Sequence, residues 1–489
     1  MKKLLWLLII LPNLLFGQYD NIDSLDRFIS KQVIDYGIPG FAIGIIRDNK
    51  IVLRKGYGTT SNVDSLPVTA QTIFPILSCT KAFTAAAIGI LVDEGKLQWN
   101  DKVIKYLPDF KLSDPWITKE LTIADILSHR SGLETFEGDL LWYGTSYTRK
   151  EIVRRIRYSP IRNNFRVDYG YQNIMYLVAG LIVEKITGQT WDHFINEKFF
   201  TPLSMNSSST SITEMMKNNN YAQPHLKNTP IPVMNMDNIA PVGGINSNID
   251  DMLHWLQVWI NKGHYNDRQL FSENTYKTIT TAKVMLSNNS DESYGFGWNI
   301  GLEAGKKVLS HGGGMPGYKS FITVIPEDSI GIVILTNKIT YLNEELTGVI
   351  INYLTTHTMN WQEADNNMYG KNFHFSWDEE EGDTAYKQHS SIPNFSTYEG
   401  VYEDRGYGKA TISKKNGKAV LELLPSKKQF TGDLYYLNKD TLKIVFNDKF
   451  VPAGEVIFRT DKNRNPIAFK LNINSSDFLF KYLDFKKSK

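Results

Sequence analysis

The spacing of apolar residues changes period several times along the chain. Ile22, Leu25, Phe28, Ile29, Val33 and Tyr36 recur at helical spacing, and Gly37 and Pro39 then end the run. Phe41 to Ile46 and Ile51 to Gly56 flank Asp48-Asn49, which predicts two antiparallel strands in a hairpin. Phe321 to Ile325 and Gly331 to Thr336 flank Pro326-Glu327-Asp328-Ser329, a second hairpin, and Leu342 to Tyr353 reads as a closing helix. The sequence between is mostly helical, including an apolar run from Ile174 to Ile186. Strands from both ends with helices between them predict an α+β domain, one antiparallel sheet with helices packed on it.

Residues 358–392 lose this pattern. They include Asp378-Glu379-Glu380-Glu381-Gly382-Asp383, hold few aliphatics, and read as a linker with some helix or wrapping segment. From Tyr398 onward, short β-like runs such as Lys418 to Leu424, Thr441 to Phe446 and Ile467 to Ile473 are separated by turn residues. This spacing predicts a small antiparallel barrel or sandwich. At the other end, Met1-Lys2-Lys3 precedes an apolar run from Leu4 to Phe16, and Gly17 offers a small residue for cleavage. That layout is a signal peptide. The run is too short to span a bilayer, and no cysteine follows it to carry a lipid. The expected organisation is signal peptide 1–17, main domain 18–357, linker 358–392 and all-β domain 393–489.

Composition narrows the function classes. The 489 residues are 42% hydrophobic and 22% charged, as in a globular protein, and the net charge of +2 gives no basic tract for nucleic acid. Cys79 is the only cysteine, so no intramolecular disulfide can form, and it reads as a small buried apolar residue. An exported chain without disulfides points to the periplasm of a Gram-negative bacterium or to secretion. No His-Glu-x-x-His or cysteine-rich spacing occurs, so no metal or other cofactor is expected.

The candidate chemistry begins at Ser78-Cys79-Thr80-Lys81, the only Ser-x-x-Lys in the chain, at the head of a helix-forming run. Lys81 falls one turn after Ser78 on the same face, and the helix N-terminus aims N–H groups at negative charge beside Ser78. Two further segments follow. Asp168-Tyr169-Gly170-Tyr171-Gln172-Asn173 precedes an apolar helix, and Ser310-His311-Gly312-Gly313-Gly314 precedes a β-rich run. In this order and spacing the chain resembles the serine β-lactamase and penicillin-binding-protein superfamily, and most closely its class C-like, CubicO-type branch. The motifs Ser-x-x-Lys, Tyr-x-Asn and Lys/His-x-Gly fall on Ser78 and Lys81, Tyr171 and Asn173, and His311 and Gly313. Leu127 to Leu133, Pro241 to Ile245 and Tyr294 to Trp298 are weaker echoes of the same family. The opening Tyr398-Glu399-Gly400-Val401-Tyr402 resembles the lipocalin-like domain fused behind such hydrolases.

The resemblance implies a β-lactamase/transpeptidase-like fold, with a sheet and a helical subdomain around a cleft, followed by a small all-β barrel. It implies an exported serine hydrolase that cuts amide or ester bonds, a peptidase or esterase acting on a small molecule or peptide. Ser78 would attack the carbonyl, and Lys81, or Tyr171 as a phenolate lowered by the Lys81 charge, would take the proton. Asn173 would contact both Lys81 and the substrate's acyl amide. The Ser78 amide and, by family analogy, that of Gly314 would form the oxyanion hole, with Gly312 and Gly313 allowing close approach of substrate. His311 departs from the lysine of β-lactam recognisers and would add pH sensitivity near neutrality, while Gly312 lacks their hydroxyl. The rivals are a true β-lactamase or DD-peptidase, and a non-catalytic scaffold of the same fold. Homo-oligomers are compatible with this reading.

Overall fold

The computed structural model describes residues 22–63, 66–287, 289–303, 305–372 and 392–488, so the leader-like residues 1–17 and the acidic run 378–383 lie outside the described residues. The first helical pattern becomes α1 (Ile22–Asp35), and Gly37 follows at φ 57°. β1 (Gly40–Arg47) and β2 (Lys50–Gly58) form the expected hairpin. Asp48 and Asn49 both take positive φ, 50° and 58°, which matches the turn to the twist of the strands. Four longer helices follow: α2 (Thr80–Asp93), α3 (Asn173–Thr187), α4 (Ile249–Ile260) and α5 (Leu342–Thr356).

β1 and β2 belong to one eight-stranded antiparallel sheet with β3 (Val284–Met285), β4 (Ser293–Tyr294), β5 (Asn299–Glu303), β6 (Lys306–Met315), β7 (Tyr318–Ile325) and β8 (Ile330–Thr336), in the order β2-β1-β8-β7-β6-β5-β4-β3. The two ends of the domain thus meet as neighbouring strands, with Phe41 opposite Thr336 and Ile45 opposite Ile332. β1 and β8 are buried on both faces, hence their unbroken apolar sequences. Phe41, Ile43, Ile332 and Ile334 pack with α1 and α5. Ala42, Ile46, Val333 and Leu335 face the opposite core, which contains α4. There Gly44 is required, since a Cβ would stand 2.7 Å from Ile249 Cγ2.

From Gly400 to Lys487 eight antiparallel strands close into a barrel. Its inward residues, among them Ile412, Leu421, Ile444, Val456 and Phe469, make the inside a packed core. The start of the linker region is ordered too: Trp361–Asn367 is helical, and Trp361 lies 5.1 Å from Phe28 of α1, ring to ring.

The barrel is fused to the first domain through side chains. The ring of Tyr143 packs 4.4 Å from Phe478 and 5.8 Å from Phe430, and its hydroxyl donates to Asp448 at 2.8 Å. Tyr147 donates to the Tyr407 carbonyl at 2.7 Å, Arg155 to the Gly406 carbonyl at 2.7 Å, and Tyr482 bonds to Glu134. One buried apolar cluster runs from α2 into the barrel interior. Among the described residues no helix is long and apolar enough to cross a membrane. Tyr143→Ala is expected to cost about 3–5 kcal/mol, the range for truncating a buried aromatic, and to speed proteolysis at the barrel junction. Chemical denaturation and limited proteolysis check this; a loss within experimental error would mean that the barrel docks by other contacts.

Candidate active site

Among residues 72–91, Ser78 alone is not buried. A 3-10 turn, Leu77–Cys79, presents it just ahead of α2. Leu77 reaches this geometry in the left-handed region, φ 52°, a strain of about 1 kcal/mol or more for a branched residue. α2 is buried from Thr80 to Leu91, so it takes Lys81 into the interior with it. Lys81 Nζ lies 2.9 Å from Ser78 Oγ, 2.9 Å from Asn173 Oδ1 and 3.3 Å from the Val242 carbonyl. Tyr171, one residue before α3 is capped, puts its ring face 4.8 Å from the same ammonium.

Burial pulls the Lys81 pKa down to about 7, against an opposing pull from Asp139. The amine therefore has a large neutral fraction at neutral pH and can accept the Ser78 proton. Burial moves Tyr171 the other way, well above 10, with the Ser78 hydroxyl only partly offsetting it. The phenolate reading is corrected accordingly: Tyr171 stands as a phenol, and Lys81 is the group poised as base.

Asp139 is the acidic partner that the sequence motifs do not announce. It accepts from Asn173 Nδ2 at 2.6 Å, while Asn173 Oδ1 accepts from Lys81. Burial raises the Asp139 carboxyl to about 7; the nearby Trp142 indole, Asn173 and Lys81 oppose that rise, and Asp477 adds to it. Its second oxygen, Oδ1, is buried and accepts no hydrogen bond of ordinary geometry from a described residue.

The third motif lies within β6 rather than ahead of the strands. β5 pairs with β6 only as far as Asn299 opposite Ser310, so His311 to Met315 run on with that edge unpaired. Ser78 packs against this segment: a Cβ on Gly313 would stand 2.8 Å from Ser78 N and 2.6 Å from Leu77 Cβ. Space around Gly314 is open, as an oxyanion donor facing a cavity needs. His311 does not act as the sequence suggests. Its Nδ1 donates to the Gly312 carbonyl at 2.8 Å, so Nε2 accepts from the Tyr294 hydroxyl at 2.9 Å. Burial and the Lys81 charge push its pKa to about 3, so the ring stays neutral and supplies no switch near neutrality.

The other echoes have structural work. Gly297, at φ 75°, lets the chain pass close to Lys81, where a Cβ would stand only 2.7 Å from the Lys81 carbonyl oxygen. Asp125 is fully buried and holds Arg130 at 2.9 Å and Arg166 at 2.9 Å. His129 accepts from the Gln172 N–H at 2.9 Å, and burial keeps it neutral. Cys79 is buried with its thiol pushed up to about 12, and donates to the His311 carbonyl at 3.3 Å.

Ser78, Tyr171 and Gly314 line a cavity of about 740 Å³, whose lining also includes Phe450, Asp477 and Phe478 of the barrel. Sequence reasoning missed Asp139 and these barrel residues, and marked Tyr294 only as part of a family echo, without its bond to His311. The acyl-transfer motif says nothing of side chains that approach it from elsewhere in the chain.

Comparisons with known proteins bear on the family and the fold. The family described as Beta-lactamase matches residues 25–347. A protein named Unguisins hydrolase ungD' from Aspergillus campestris is 31% identical over 358 residues, 68% of this chain and 65% of that protein, so the match spans just under two thirds of its length. An Escherichia coli K12 protein, provisionally named a D-alanyl-D-alanine carboxypeptidase, is 28% identical over 65% of this chain and 82% of its own. The solved octameric penicillin-binding protein homologue from Pyrococcus abyssi shares the fold over 96% of this chain and 100% of its own, with TM-score 0.62 and 23% identity.

Acylation of Ser78 by an activated ester is expected to rise with pH through about 7 as Lys81 loses its proton. Asp139→Asn removes a charge that holds the Lys81 pKa up, so the rising limb should move to lower pH. The pH dependence of kcat/KM reads both; a limb that stays put or moves to higher pH would show that this pair does not set the base.

Proposed function

We propose that this chain, which belongs to the beta-lactamase family, is a serine hydrolase that cleaves amide or ester bonds through an acyl-Ser78 intermediate, as a peptidase or esterase. The observation that carries this reading is the fully buried Lys81 amine, 2.9 Å from the one accessible hydroxyl of its turn. Ser78 Oγ adds to the substrate carbonyl as its proton passes to Lys81. The oxyanion sits between the Ser78 and Gly314 N–H groups. As the tetrahedral centre collapses, the C–N or C–O bond breaks, and the leaving group takes the proton from Lys81, with the Tyr171 hydroxyl aiding its delivery. Water, deprotonated by the same amine, then attacks the ester carbonyl and releases the acid and Ser78. His311 is a positioning residue that ties β6 to Tyr294.

The names of the matched relatives, a hydrolase and a carboxypeptidase, favour an amide in a small peptide. A β-lactamase or DD-peptidase is the second reading. Gly312 weighs against its β-lactam form, since a side chain there would point at Phe321 and Glu344, 3.3 and 3.7 Å from its Cβ, in place of the drug-binding hydroxyl. The intact Ser78, Lys81, Tyr171 and Asn173 weigh against a non-catalytic scaffold. We extend the proposal to export, on the basic, apolar and small layout of residues 1–17, and to self-assembly, on the octameric Pyrococcus homologue. Export would leave Gln18 as the mature N-terminus, readable by intact mass.

A fluorophosphonate probe is expected to label Ser78 in the wild type and to leave Ser78→Ala unlabelled, folded and without turnover of any ester or amide the wild type cleaves. Residual turnover above a few per cent would move the chemistry off Ser78. Lys81→Ala and Tyr171→Phe should each be severe, and the double variant little worse than either, because the two serve one proton transfer. Additive losses in kcat/KM would instead separate their roles.

Replacing His311 with Lys together with Gly312→Thr should raise acylation by penicillins, measured by adduct mass. A folded double variant that stays unreactive would place drug exclusion in the Glu344 side of the cavity rather than in the motif.

A further inference from the structure

A second cavity lies on the seam between the first domain and the barrel. It holds about 510 Å³, within the range of small-molecule sites. Its walls come from residues 111–113, 136–141 and 155–160 of the first domain and from 404–407 and 479–483 of the barrel. It backs onto the active site, since Phe136 and Asp139 line both cavities, whereas Ser78, Tyr171 and His311 line only the other one. Among the described residues around it, four are cations, Lys111, Arg155, Arg157 and Arg405, and three are acids, Glu137, Asp139 and Asp404.

The acids are committed elsewhere. Asp404 accepts from the backbone N–H groups of Gly406, Tyr407 and Asp484 at 2.8, 2.7 and 2.9 Å. Asp139 accepts from Asn173 at 2.6 Å. Glu137 is buried, which lifts its carboxyl to about 7 against the pull of Ser159, Arg162 and Lys481, so part of its charge is absent at neutral pH. The cations are not discharged in the same way. Arg157 donates to the carbonyls of Arg154 and Asp109 at 2.8 and 2.9 Å, and no described carboxylate pairs with it, with Lys111 or with Arg405. Arg405 comes from the barrel and stands 4.6 Å from the centre of the Tyr158 ring. Arg155 alone has a carboxylate partner, Glu151 at 2.7 Å, and it also donates to the Gly406 carbonyl. A guanidinium anchored on backbone carbonyls is oriented without being neutralised. Arg157 spends two of its five N–H groups on those carbonyls and keeps the rest for a ligand's oxygens. The remaining wall is mixed: Leu112, Leu140 and Leu141 are apolar, and Ser113 and Tyr158 carry hydroxyls. Such a space has room for an organic body as well as an anionic group.

We propose that this seam cavity is a second binding site, for a small phosphate monoester, with Arg157 and Arg405 holding the phosphoryl group from the two domains and the organic part lying against Leu112, Leu140 and Leu141. The phosphoryl dianion matches the forked guanidinium donors, which give it paired, charge-assisted hydrogen bonds. The ligand touches both domains, so its binding strengthens the seam. The site stands apart from the acyl-Ser78 reading and goes beyond it, since no step of that chemistry enters the argument.

The test titrates the full chain at neutral pH and low salt with glucose 6-phosphate, glucose and inorganic phosphate, read by calorimetry and by thermal melting. Glucose 6-phosphate is expected to bind saturably, more tightly than inorganic phosphate, and to raise Tm, whereas glucose should do neither. Added sodium chloride should weaken the binding. Arg157→Gln and Arg405→Gln should each weaken it by about tenfold, the scale of one hydrogen bond to a charged group, and the lysine variants at the same positions should recover part of the loss. Arg405 is exposed, so Arg405→Gln carries the test even where Arg157→Gln fails to fold. Lys319→Gln removes the one cationic side chain among the described residues that line the active-site cavity, apart from the site itself, and should leave the binding unchanged. Absence of saturable binding, or binding undiminished in folded Arg405→Gln, overturns the inference. A loss in Lys319→Gln in place of the arginine variants would put the phosphate in front of Ser78 and overturn it too. Equal affinity for inorganic phosphate and the ester would overturn the assignment to an ester. Labelling of Ser78 by the fluorophosphonate probe tests the acyl-enzyme reading separately, and neither result decides the other.

Discussion

The active site rests on the cost of keeping one ammonium out of water. Lys81 is carried inside by a helix buried on every side, and among the described residues no carboxylate hydrogen-bonds to it. A directly paired carboxylate would pin the amine in its charged form and leave Ser78 with no base. Asn173 prevents this by standing between the two, accepting from Lys81 with its oxygen and donating to Asp139 with its nitrogen. The negative charge is felt but not met, and the amine and the acid both settle near 7. Because the two interact, their protons leave as those of a pair.

Geometry around Ser78 depends on places where side chains are missing. Gly313 brings an unpaired strand edge against the Ser78 amide, and Gly297 lets another segment cross the Lys81 carbonyl. Leu77 accepts a left-handed conformation to turn the chain outward at the next residue. The eight-stranded sheet makes this strain tolerable, since its strands β1 and β8 are buried on both faces and cannot give way. The barrel completes the enclosure from outside the domain, through Tyr143 and Phe478. With its own interior filled, its contribution is made by its outer loops.

Much of the fold was legible in the sequence. The Asp48-Asn49 hairpin, the helices over 22–35 and 173–187 and the later hairpin follow from period and turn chemistry alone, and the ordered motifs gave the family and the nucleophile turn. What stayed hidden was of two kinds. Strands such as Gly408–Lys415, rich in lysine and serine, show only a few inward residues, and the glycine run of β6 looks like a loop until its neighbours are known. The protonation states were the other kind. Tyr171 as a phenolate follows from the adjacent Lys81 charge and His311 as a neutral-pH switch from the ordinary imidazole range, and burial outweighs both. Asp477 lies 399 positions from the nucleophile by number, and only the docking of the barrel brings it to the cavity.

The single cysteine has a practical consequence. Cys79 is the immediate neighbour of Ser78, fully enclosed, with its thiol held almost entirely protonated at physiological pH. Alkylating reagents attack thiolates, so the native chain should be silent toward maleimides and iodoacetamide. Any reaction that does occur reports the opening of this one turn, with no other thiol in the chain to confuse the signal. The protein thus carries an intrinsic clock for the local unfolding of its own active site, and a clean background for a dye attached to any cysteine introduced on its surface.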